Sequence, residues 1–143
     1  MEAPRKDLDG LKPPFRQAIV WLIHLLEKEK LPITIFETYR GAVRQNYLKE
    51  SGSSRAGAAQ SPHNFGLAAD FVLDVDKCPV TNREWPAGTG NFYKDAWDYK
   101  TTEAKAAYDR FGELAESIGL EWGGRWRFLD VPHVQMSEWR KYI

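Results

Sequence analysis

The chain has 143 residues, 43% of them hydrophobic and 28% charged, enough apolar material for one packed core and too much for a disordered chain. Basic and acidic side chains balance at 20 each and neither half departs far from neutrality, so strong nonspecific attraction to nucleic acid or to an anionic membrane is excluded. Cys78 is the one cysteine, which rules out an intramolecular disulfide and a cysteine-rich zinc cluster.

The length predicts a single domain over residues 1–143. The N-terminal run from Met1 to Asp7 is polar and carries no apolar signal core. The longest apolar stretch, Ala18 to Leu26, is broken by His24 and is too short to cross a bilayer. Synthesis in the cytoplasm without stable membrane association is therefore expected. Pro13 and Pro14 suit the first turn of a helix, and Phe15, Ile19, Leu22 and Leu26 recur at helical spacing, predicting an amphipathic helix over about residues 14–29. Pro32 closes that region, and the β-branched run Ile33 to Thr38 predicts a strand. Residues 41–50 read as a second, short helix.

Ser51 to Pro62 is rich in Gly, Ser and Ala and reads as a surface loop. Gly66 to Val75 is a small-residue and apolar run, predicted to be a strand. Residues 76–100 form an irregular insertion of the kind that shapes binding sites. Thr101 or Thr102 caps a third helix with a stripe of Tyr108, Phe111, Leu114, Ala115 and Ile118, closed at Gly119. Glu121 to Phe128 and Val131 to Gln135 are predicted as two final strands joined by a tight turn. The sum is an α+β fold, with helices packed on a small, largely antiparallel sheet.

Of the three histidines, His24 falls away from the apolar stripe of its helix and reads as solvated. His63 and His133 each sit in a polar, glycine-containing context beside a predicted strand. Two imidazoles and one carboxylate make a standard catalytic zinc shell that leaves a position for water, whose pKa can fall to about 7 there. No His-Glu-x-x-His helix is present, which excludes the common zincin arrangement. Asp70 and Asp74 share one side of a strand, and spacing does not choose between them. Ser61 reads as a turn cap or a hydrogen-bonding neighbour of the metal shell, Trp122 as core or cleft wall, and Cys78 as inert.

Ser61-Pro62-His63-Asn64-Phe65-Gly66-Leu67-Ala68-Ala69-Asp70 resembles the Ser-x-His-x-x-Gly-x-Ala-x-Asp signature of the M15 metallopeptidases. That family holds D-alanyl-D-alanine carboxypeptidases, VanX-type and VanY-type peptidases, CwlK-like endopeptidases and phage L-alanyl-D-glutamate endopeptidases. Gly119 to Gly124, followed by Asp130-Val131-Pro132-His133, resembles the family's second block, and Glu37-Thr38-Tyr39-Arg40 is similar to the segment that brings an arginine to the site. The resemblance implies the M15/hedgehog-like scaffold and a Zn2+ shell of His63, Asp70 and His133. It implies that Asp130 is the general base, standing where many members have glutamate, and that Arg40 is the cation near the scissile carbonyl.

The implied activity is that of a peptidoglycan endopeptidase, a phage-type endolysin cutting the L-Ala–D-Glu bond of the stem peptide. It would work as a monomer on the cell wall and reach it through a holin-type pore. Two other readings stand beside this one: a D-Ala-D-Ala carboxypeptidase or dipeptidase, and a non-catalytic zinc-stabilised binding domain.

Overall fold

The computed structural model describes residues 3–52, 61–75 and 95–143. Cys78, most of the 51–62 loop and residues 76–94 lie outside the described residues. Three α-helices and four strands carry the described fold: α1 (Pro13–Lys28), β1 (Ile33–Glu37), α2 (Ala42–Glu50), β2 (Ala68–Leu73), α3 (Thr102–Ser117), β3 (Leu120–Trp122) and β4 (His133–Met136). The strands form one antiparallel sheet in the order β1-β2-β4-β3. The expected α+β class is observed. No helix among the described residues is long and apolar enough to cross a membrane.

Pro13 and Pro14 occupy the first turn of α1, where a missing N–H costs nothing, and Lys28 lies in its last turn. Phe15, Ile19, Leu22 and Leu26 are its buried stripe, as their spacing predicts, and burying each contributes about 1.5–3 kcal/mol. His24 is exposed, its ring 5.6 Å from that of Trp21. In α3 the Thr101 side chain accepts the Ala104 N–H at the N-cap. Tyr108, Phe111, Leu114 and Ala115 face inward, while Ile118 is only partly buried at the helix end. The Phe71 and Phe111 rings, 5.1 Å apart, join the sheet to α3.

The last part of the chain departs from expectation. The predicted strand over 121–128 shrinks to Leu120–Trp122 and runs into a 3-10 turn at Gly123–Arg125. The reason is local closure: Gly123 O accepts the N–H groups of Trp126 and Asp130, and Asp130 O accepts that of His133. These bonds wind residues 123–133 into a loop, so the backbone cannot continue a ladder. Trp122 is 3% exposed and donates its indole N–H to Val131 O at 2.8 Å, so it belongs to the core rather than to a cleft wall.

Strand alternation sorts the side chains. Phe71 on β2 and Val134 on β4 enter the apolar cluster with α1 and α3, while Asp70, His133 and Gln135 project to the opposite face. All functional geometry below is on that second face.

Candidate functional site

Register alone brings the first two candidates together. Asp70 pairs directly with His133 across β2 and β4, and directly paired residues have Cβ atoms about 4.5–5.5 Å apart. Asp70 is thus the carboxylate that the register sets beside His133, whereas Asp74 lies beyond the end of β2 at Leu73. His63 arrives from the segment before β2. Ser61 caps a 3-10 turn over Pro62–Phe65 through a reciprocal box: its hydroxyl accepts His63 N–H, and Asn64 Oδ1 accepts Ser61 N–H. The turn closes at Gly66, which has φ 69°, and a Cβ there would lie 2.3 Å from Gly10 O. Only glycine meets both demands.

His63, Asp70 and His133 each offer a ligand atom within 4.8 Å of the others, and the three could hold a metal ion. His63 Nε2 lies 3.3 Å from Asp70 Oδ2, and His133 Nδ1 lies 3.0 Å from Asp70 Oδ1. With ligand bonds near 2.0–2.1 Å, the edge of a tetrahedral shell is roughly 3.3 Å, which these separations approach. His63 Nδ1 is 2.8 Å from Thr38 O, to which the ring donates its Nδ1–H, leaving Nε2 with its lone pair. That Nε2 is buried and makes no hydrogen bond. A buried nitrogen without a donor, aimed at a carboxylate and a second imidazole, fits a metal-ligand role.

The charges of the three groups balance one another. Burial works to raise the Asp70 carboxyl, but His63 and His133 outweigh it and hold it well below the ordinary range. Burial likewise works to lower His133, and the bond to Asp70 overcomes it, so the imidazole is raised. Asp130 stands just outside the triad, exposed in surface terms although protein crowds its carboxyl. Loss of water raises that carboxyl and the like charge of Asp70 adds to the rise, while His133, His63 and Arg40 pull it back. Its loop is seated by Gly123, where a Cβ would come within 2.3 Å of Asp130 O.

Arg40 is 7% exposed and reaches the triad at Asp70. One terminal nitrogen donates to Gln45 Oε1 at 2.9 Å; the other donates to Glu37 Oε1 at 2.9 Å and reaches Asp70 Oδ2 at 3.4 Å. Arg44 grips the second oxygen of Glu37. Glu37 itself is 1% exposed. A bulge places it there: Ile35 pairs with Phe71, but Glu37, not Phe36, pairs with Asp70. Bulges of this kind re-aim side chains next to sites.

All five residues singled out from sequence, His63, Asp70, His133, Asp130 and Arg40, thus converge. Others were missed. Thr38 contributes a backbone carbonyl, invisible to residue-type reasoning. Gln135 accepts from His133 at 2.8 Å, and its alternation with His133 on a strand was the available signal. Trp126, not Trp122, stands over the site, its ring 5.1 Å from that of His133 and its indole N–H held by Glu121 at 2.9 Å.

A family model described as D-alanyl-D-alanine carboxypeptidase, of the M15 peptidases, matches residues 54–136. The chain is 28% identical over 117 residues to the peptidoglycan L-alanyl-D-glutamate endopeptidase CwlK of Bacillus subtilis (strain 168), covering 74% of this chain and 61% of that one. It is 30% identical over 130 residues to the L-alanyl-D-glutamate peptidase of Listeria phage A118, covering 90% of this chain and 37% of that one. It therefore spans less than two thirds of either relative. Among solved structures, the Serratia marcescens L-Ala D-Glu endopeptidase ChiX superposes with a TM-score of 0.63 at 25% identity, over 94% of this chain and 86% of that one. The LD-carboxypeptidase LdcB shares the fold at a TM-score of 0.57 and 14% identity, over 95% of this chain and 63% of that one.

Proposed function

The chain belongs to the M15 peptidase family, and from that premise we propose that it is a zinc endopeptidase hydrolysing the L-Ala–D-Glu bond of the peptidoglycan stem peptide. The observation that carries the reading is the His63–Asp70–His133 cluster with the free His63 Nε2, beside an acid whose neighbours are the cluster itself. The bond assignment follows the names of the similar proteins, three of which are endopeptidases or peptidases of this linkage.

His63 Nε2, His133 Nδ1 and an oxygen of Asp70 would hold Zn2+, a donor set suited to that ion. When bound, zinc supplies Lewis acidity toward the scissile carbonyl and toward water. Asp130 takes the proton of the attacking water and returns it to the departing amine. Arg40, fixed by Glu37 and Gln45, lends positive charge to the oxygen that becomes negative, without needing to reorganise. Its contact with Asp70 also steadies that ligand.

The site of action is the cell wall, reached by release through a holin-type pore, and the working form is a monomer. Digestion of purified sacculi tests the reading. New N-terminal D-glutamate on released peptides, with L-alanine left on muramic acid, is expected. Release of free D-alanine alone would replace it with the carboxypeptidase activity that the family model's description carries.

A further inference from the structure

Gln135 is a buried polar side chain, 8% exposed, to which the reading above gives no task. It stands two residues beyond His133 on β4, so both point to one face of the sheet. Gln135 Oε1 lies 2.8 Å from His133 Nε2, and Asp70 Oδ1 lies 3.0 Å from His133 Nδ1. The ring is therefore bracketed by two acceptors.

A neutral imidazole has one N–H and one lone pair, and the partner of one nitrogen decides the state of the other. Asp70, a carboxylate, draws the proton toward Nδ1, where it would block a metal. An amide oxygen at Nε2 draws it the other way. We propose that Gln135 is a positioning residue that holds His133 as the Nε2–H tautomer and so presents the Nδ1 lone pair to the metal. The inference rests on the metal-centre reading of the cluster.

The same bond serves before and after loading. No ring flip is required. Without Gln135, the Nε2–H would be buried and unpaired, and a buried donor left unsatisfied is costly. The balance would shift to Nδ1–H on Asp70. His63 uses a parallel device, Nδ1 on Thr38 O, but a backbone carbonyl cannot be deleted by substitution. Gln135 can.

The test is zinc affinity by competition with a chromophoric chelator, for wild type, Gln135→Ala and Gln135→Glu, with ¹⁵N NMR of the histidine rings in the metal-free proteins at a pH where the rings are neutral. Gln135→Ala should bind zinc about 10–100-fold more weakly, the usual effect of losing a partner behind a ligand, and its His133 signals should show mixed tautomers. Gln135→Glu keeps an acceptor and should keep wild-type affinity and a single Nε2–H pattern. Equal affinity of Gln135→Ala and wild type overturns the inference, as does equal loss in both variants, which would mark a packing role. If Gln135→Ala does not fold, Gln135→Met fills the volume without an acceptor: weakened binding supports the inference and unchanged binding overturns it. If wild type binds no zinc, the metal-centre reading falls and this inference with it; tight wild-type binding with an indifferent Gln135→Ala sinks this inference alone.

Discussion

The two faces of the sheet are built from the same strands by opposite rules. On one, Phe71, Val134 and their neighbours meet α1 and α3 in an apolar cluster, where stability grows with area removed from water. On the other, Glu37, Arg40, Arg44, His63, Asp70, His133 and Gln135 are nearly as buried, yet each is polar and tied to a named partner. Burial of charge is tolerated only with such partners. The contrast teaches that the second face is arranged to hold groups in position rather than to drive folding. Substitutions on the two faces should therefore separate function from stability.

The largest effect is expected from the metal shell. Chelation, or His63→Ala, should abolish peptide cleavage, and elemental analysis should find one zinc per wild-type chain and little in the variant. His63→Ala with wild-type zinc affinity would remove His63 from the shell. Next comes Asp130→Asn. It should lower turnover by about 10²–10⁴-fold, the usual worth of a general base, while zinc content and melting temperature stay at wild-type values. Loss of zinc instead would make Asp130 a ligand, and normal turnover would take it out of the mechanism.

Stability effects of comparable energy belong to the other face and to the ionic layer. Phe111→Ala should cost about 3–5 kcal/mol in denaturant unfolding, because its ring fills the contact with Phe71. Whatever remains folded should bind zinc normally, since no ligand touches Phe111. Glu37→Gln breaks the rule of separation on purpose. It strands Arg40 and Arg44 without their shared carboxylate, which should cost about 3–5 kcal/mol and also slow cleavage through Arg40. If stability falls but turnover per folded molecule is unchanged, Arg40 has no part in the chemistry.

Much of this division was legible in the sequence and some was not. The stripe of α1 follows from spacing, and the His63-to-Asp70 segment was found through its resemblance to the Ser-x-His-x-x-Gly-x-Ala-x-Asp signature, whose residue types correspond to a capped turn, a left-handed glycine and a strand. Spacing left Asp70 and Asp74 open and the resemblance pointed to Asp70; the physical reason, its pairing with His133, is a property of β2 and β4 together. Glu37 reaches the site only through a bulge, and no local preference announces where a ladder slips. The overlong strand predicted over 121–128 failed for a similar reason. Gly123 allows residues 123–133 to close on themselves, and that closure depends on the approach of Asp130.

The smallest effect expected is at Trp126, where the polar face meets solvent. The ring lies 5.1 Å from His133 at 48° and is half-buried, and Phe128 and Leu129 beyond it are 60% and 57% exposed. All three precede Asp130 in the 123–133 loop, so a substrate brought to Asp130 would meet them as an apolar lip. Because Glu121 holds the indole N–H, the ring is placed before any substrate arrives, so little ordering cost falls on binding. A stem peptide laid against it would gain contact area, not chemistry. An aromatic contact of this kind is worth about 0.5–1.5 kcal/mol, or up to roughly tenfold in affinity. Trp126→Ala should therefore raise KM by that order and leave kcat and zinc affinity unchanged, and Trp126→Phe should recover most of the loss. A variant that keeps KM but sheds zinc would place Trp126 behind His133 as a support for the metal shell, and the lip would then have no role in substrate binding.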